Sequence, residues 1–302
     1  MYFGTSDAIL AVVALLPAVA LGIYVFKKDR HEKEPFWLLA LLFVSGVIIA
    51  WPVVEVETFL DNTIFGIFSS FGISSEGSTV YVSDAMYYLY HLCDNIIGIA
   101  LVEEGFKWLM LFLITRKSKH FNSLFDGVIY AVFVSLGFAA LENVLYVFSY
   151  GLETGLLRAV TAVPGHVFDA VIMGYCYSFY HIYEKAQTYE KQFVDLGVIT
   201  SNQQVMSRYK KIYLAASIIA PVFIHGMYDF MLSVDSVFWS LFFYIFLAGL
   251  YIYSFRTVRK FSKQDNDDQI FALSVLITHH PRIKDFLLKM QNSAENQNTV
   301  NV

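Results

Sequence analysis

LVEEGFKWLMLFLIT, residues 101–115, decides how this chain is read. It is an apolar run of the kind that forms a membrane helix, yet it carries Glu103, Glu104 and Lys107. Ionised side chains in hydrocarbon are costly, so by default they mark function. What matters next is which other polar groups reach the same depth.

The composition supports a membrane reading. Of 302 residues, 57% are hydrophobic and only 16% are charged, against about a quarter in soluble domains. Long apolar stretches recur, so the chain is expected to be an all-α, polytopic integral membrane protein. The net charge of −5 gives no reason to expect nucleic acid as a partner. The two cysteines, Cys93 and Cys176, fall in apolar segments and read as packed thiols, not as a disulfide framework. The N-terminal apolar run lacks a basic leader and is read as a retained helix.

Seven segments meet the length of a spanning helix, roughly 20 apolar residues. They run over residues 5–26, 35–54, 85–115, 124–150, 156–183, 211–232 and 234–255. Residues 55–83 read as a loop whose apolar part, FLDNTIFGIFSSFGI, is interfacial or re-entrant. Residues 1–256 form the expected catalytic membrane domain and 257–302 a polar tail. That tail is partly amphipathic and ends in a disordered SAENQNTVNV. All but two of the 21 Lys and Arg residues fall in loops 27–34, 116–120 and 184–211 and in the C-terminal stretch from Arg256. By the positive-inside rule these are cytoplasmic. The expected topology is N-terminus outside and C-terminus inside, with a reporter at Gly77 scoring outside. The two exceptions are Lys107 and Arg158.

Four of the spans carry polar groups. Beside Glu103, Glu104 and Lys107 there are Glu142 and Asn143 in GFAALENVLY, His166 and Asp169 in VPGHVFDAVIMG, and His225 and Asp229 in HGMYDF. Glu103 and Lys107 share a helix face, as do His166 with Asp169 and His225 with Asp229. At about 1.5 Å per residue, all four sites reach the zone between mid-membrane and the outer leaflet. A structural reading exists for each one. Glu103–Lys107 can be an ion pair between helices, Asp169 and Asp229 can orient histidines, and Asn143 can hydrogen-bond a neighbouring helix. Their convergence from four spans is what those readings leave unexplained. His91, Asp94, Asp126 and His181 lie near segment ends and receive no role.

Two schemes are open. In one, Glu142, His166 and His225 hold a metal with water in an open position, the pattern of catalytic zinc, and Glu104 is the general base. In the other there is no metal, and Glu103 or Glu104 activates water while His225 with Asp229, or His166, stabilises the oxyanion. No HExxH, GxSxG, P-loop or GxGD pattern is present.

The set EEGFK, FAALEN, HVFDAVIMG and HGMYDF resembles the PrsW family of intramembrane proteases, in the larger group of CAAX prenyl proteases and Abi-type proteins. All four elements occur in order over residues 103–229. The resemblance implies a multi-pass protease of the bacterial cytoplasmic membrane, described as metalloprotease-like and so using Zn2+. It also implies a single-pass membrane protein as substrate, cut near its outer side, as PrsW proteins make the first cut in an anti-sigma factor. The motif positions carried over are Glu103, Glu104, Glu142, His166, His225 and Asp229. Lys107 and Glu142 depart from the CAAX-type pattern, which makes prenylated substrates unexpected. The rival reading is a proton-coupled transporter, since proton relays use the same residue types. No duplicated motif between the halves supports it.

Overall fold

A computed structural model describes residues 5–29, 32–73, 83–200, 202, 204–264 and 267–300. In chain order the helices are α1 (Thr5–Lys28), α2 (Phe36–Ser69), α3 (Asp84–Cys93), a π-helical turn (Asp94–Ala100), α4 (Leu101–Thr115), α5 (Asp126–Tyr150), α6 (Leu152–Val160), α7 (Ala162–Asp195), α8 (Met206–Ser233), α9 (Val237–Lys263), α10 (Asp268–His279) and α11 (Pro281–Val300). Among the described residues the one extended pairing is a bridge between Ser123 and Asp267. The chain is all-α and polytopic. Among the described residues six helices, with α6 and α7 taken together, are long and apolar enough to cross a bilayer.

The segment expected over 85–115 is helical from Asp84 to Thr115, but it is divided into α3, the π turn and α4. It is not among the six. The π turn lies against α8. A Cβ on Gly226 would stand 2.6 Å from Ile96 Cγ1 and 2.9 Å from its Cα, so only glycine admits this approach. Asn95 Nδ2 ties the same turn to α8 by donating to Ser233 Oγ at 2.9 Å.

The expected loop 55–83 is corrected in its first half, where α2 continues unbroken to Ser69. Hydropathy falls here although the helix does not end, because α2 is longer than a bilayer core requires. Its 34 residues extend about 51 Å, against a hydrocarbon core of about 30 Å. Thr58 and Thr63 return side-chain hydrogen bonds to the carbonyls four residues back, so the polar residues fit the helix. Residues 74–82, including the reporter site at Gly77, lie outside the described residues. α7 likewise runs past its expected end at 183 through AQTYEKQFVD, a stretch rich in helix formers.

α5 is the central helix and is buried along its first fifteen residues but one. Small residues let its neighbours close on it. A Cβ on Gly46 would lie 1.9 Å from the Val134 carbonyl oxygen, and one on Gly137 would lie 1.9 Å from that of Phe43. Both contacts are with rigid backbone. Gly137→Ala is therefore expected to lower stability by about 2–3 kcal/mol through forced separation of α2 and α5. Thermal unfolding in detergent checks this, and an unchanged midpoint would exclude the contact.

The boundary expected at 256 falls inside α9, and the segment after it packs on the bundle. Ala272, Leu276 and Ile283 are fully buried. Lys185 pairs with Asp268. Glu190 on α7 accepts from the Val205 N–H at 2.8 Å and faces His280 Nε2 at 2.9 Å. α11 runs through most of the stretch expected to be disordered, whose last two residues are outside the described ones.

Candidate active site

α4 presents Glu103, Glu104 and Lys107 on its first two turns. Spacing three and spacing four both bring a carboxylate to the lysine. Lys107 Nζ lies 2.9 Å from Glu103 Oε2, 2.7 Å from Glu104 Oε1 and 3.1 Å from His166 Nδ1. An ammonium has three N–H donors and no lone pair, so these contacts use all three. The ammonium also sits 4.3 Å above the Phe138 ring. His166 Nδ1 must then accept, which puts the ring proton on Nε2. That nitrogen donates to Glu142 Oε2 at 2.7 Å.

His225 enters from α8. Its Nδ1 is 2.9 Å from Glu104 Oε1 and its Nε2 is 3.1 Å from Asp229 Oδ2. Asp169 Oδ2 is 3.7 Å from the same Nδ1. The two imidazoles meet edge to face with centroids 5.3 Å apart. Ser135 on α5 donates to the carbonyl of His166 at 2.8 Å and anchors that turn of α7.

Ligand atoms of Glu103, Glu104, His166 and His225 lie within 4.8 Å of one another. Glu104 is 0% exposed, Lys107 1% and Glu103 6%. Glu104 Oε2 is buried with no hydrogen-bond partner. An orphaned carboxylate oxygen among imidazoles is what a cation would satisfy, so the donor set fits a divalent metal. The set differs from the expected Glu142, His166 and His225. Glu142 stands outside the group because its other oxygen is taken by Arg158 Nη2 at 2.7 Å. Its place is that of a carboxylate orienting a histidine.

A cavity of about 590 Å³ opens on the cluster. Glu103, His166, His225, Glu142 and Asp229 line it, while Glu104 and Lys107 lie behind its wall. Glu104, expected as the base, is thus the deeper carboxylate and Glu103 the accessible one.

Two charged lining residues, Glu57 and Arg158, were not foreseen as part of the site. Glu57 extends α2's contribution of Ala50, Val53 and Val54. The spacing 50, 53, 54, 57 is helical and was the available signal. Arg158 was visible only as a cation away from the basic loops. Asn143 Nδ2 donates to the Ala14 carbonyl at 2.9 Å, a bond between helices. Asp126 caps the turn before α5, accepting from the Asn122 and Ser123 N–H groups. His181 stacks on Phe121.

The model of the PrsW family of intramembrane metalloproteases matches residues 34–254. The protein named Protease PrsW of Oceanobacillus iheyensis is 30% identical over 219 residues, 72% of this chain and 80% of the relative. Its namesake in Geobacillus kaustophilus is 28% identical over 244 residues, covering 81% and 88%. That of Bacillus subtilis is 27% identical over 246 residues, covering 82% and 92%. No solved structure matches the chain.

Proposed function

The chain belongs to the PrsW family of intramembrane proteases, and on that premise we propose how it works. It hydrolyses a peptide bond in a single-pass membrane protein, at the outer side of the membrane, with water activated beside Glu103. The relatives are bacterial, and the chain is a multi-pass cell-membrane protein. Membership of a protease family leaves the transporter reading without support.

The observation that carries the reading is the joint burial of two carboxylates, two imidazoles and an ammonium at the floor of one cavity. Glu103 reaches the cavity and is the group that takes the proton from water. Lys107 holds its carboxylate in place from behind. Asp229 holds His225 through Nε2, so its ring is fixed before substrate arrives and Nδ1, which faces Glu104, is the nitrogen that would meet an ion. Glu104, His166 and His225 would hold a divalent metal, most simply zinc, as one carboxylate and two imidazoles do in known catalytic sites. When bound, such an ion supplies a Lewis acid for the water and the scissile carbonyl. The basic loops support an outer cavity mouth, because α2 begins beside the Lys-rich loop 27–34 and Glu57 lies about 32 Å further along. An anti-sigma factor is the substrate we infer from the resemblance of the motifs, which makes the reaction a signalling step.

Purified chain reconstituted with a single-pass reporter tests this. Cleavage is expected at the reporter's outer juxtamembrane segment, with the products mapped by mass spectrometry. A cut only on the inner side would sink the sidedness. In the same preparation about one metal ion per chain is expected, with activity lost to a chelator and restored by Zn2+. Full activity at substoichiometric metal would move the chemistry to Glu103 alone.

A further inference from the structure

Arg158 is the one cation, apart from Lys107, that lies away from the basic loops. Nothing in the four motifs includes it. It projects from α6, a nine-residue helix bounded by Gly151, at φ +89°, and Thr161. Leu156, Leu157 and Val160 on this helix are exposed, and Leu157 also lines the cavity. Gly155 seats the helix on α5, since a Cβ there would lie 2.1 Å from Val147 Cγ2. That contact falls one turn past Glu142 and brings the guanidinium to the cavity wall.

We propose that Arg158 is a positioning residue that acts through Glu142 on His166. The contacts form a chain. Arg158 Nη2 holds Glu142 Oε1 at 2.7 Å, and Glu142 Oε2 accepts from His166 Nε2 at 2.7 Å. His166 Nδ1 thereby points its lone pair into the cluster, where Lys107 now meets it. The guanidinium packs 3.7 Å from the Tyr146 ring, which restricts it further. Without Arg158, Glu142 would carry an uncompensated charge in the wall and could turn away from His166. The imidazole would then lose the bond that sets its tautomer and tilt. The active site is in this way completed from α6, which lies between two breaks in the chain.

The test uses the full chain in lipid nanodiscs with the single-pass reporter that the wild type cleaves. Arg158→Ala is expected to lower kcat by about 10- to 100-fold, the usual effect of losing such an orienting partner, with KM within about twofold. Arg158→Lys, which returns the charge, is expected to recover activity to within about fivefold of wild type. In a Glu142→Gln background, Arg158→Ala is expected to cost less than about twofold more, because the chain of contacts is already broken. Co2+ alone, followed by absorbance, is expected to bind Arg158→Ala about 10-fold or more weakly than wild type. A loss confined to KM, or an equal loss with and without Glu142, overturns the proposal. Because the positioning concerns the proteolytic site read above, the two arms separate the failures. Absence of Co2+ binding to wild type refutes the metal and leaves the kinetic arm to decide on Arg158.

Discussion

Glu103→Gln is expected to abolish cleavage, lowering kcat/KM by about 10³-fold, within the range for loss of a general base. The substitution keeps the shape and a hydrogen-bond acceptor for Lys107, but removes the proton acceptor that faces the cavity. Expression and thermal unfolding are expected to stay near wild type, because Lys107 keeps its 2.7 Å contact with Glu104. Glu104→Gln should behave differently. That side chain is wholly buried and joins Lys107 to His225, so its change is expected to lower stability as well as activity. The measurement is the single-turnover cleavage rate of the reporter beside the unfolding midpoint. Should Glu103→Gln retain more than about a tenth of wild-type activity, the base must be another group.

Lys107→Met carries the second large effect, and it falls on stability. The ammonium is the charge partner of both Glu103 and Glu104, all three being nearly or fully excluded from solvent. Removing one member of a buried ionic set leaves the others uncompensated, at about 3–5 kcal/mol. Thermal unfolding in detergent should show it. The double variant Lys107→Met with Glu104→Gln is expected to regain part of the loss, since one of the stranded charges goes with it. If the single variant unfolds with wild type, Lys107 is not the charge that keeps the cluster together.

Much of this site was legible in the sequence. Helical spacing paired Glu103 with Lys107 and His225 with Asp229, and depth along the spans brought His166 to the same level. What spacing along single helices does not contain is the angle between helices. That angle brings Glu104, not Glu142, beside His225, and it turns Glu103 toward the cavity. Glu57 was hidden for a different reason. Hydropathy reports where a helix leaves hydrocarbon, not where the helix stops, so α2 seemed to end near residue 54. Arg158 belonged to no motif, and its partner Glu142 is sixteen positions away across a turn. The division of residues 84–115 by a π turn has no marker in composition, since DNIIGIA is poor in strong helix formers but nothing in it separates π from α winding.

That turn has a consequence of its own. A π turn holds one more residue per cycle than the helix around it, so the two parts of this rod are out of phase. The turn itself is keyed to α8 by Asn95 and by Ile96 against Gly226, and α4 after it is keyed to the cluster by Lys107. Excising one residue between Asp94 and Ala100 would straighten the ladder and rotate one part against the other by about 100°. Either the seam with α8 or the two glutamates would then face the wrong way. The extra residue acts as a gear offset, letting a single rod mesh with two neighbours that demand different alignments.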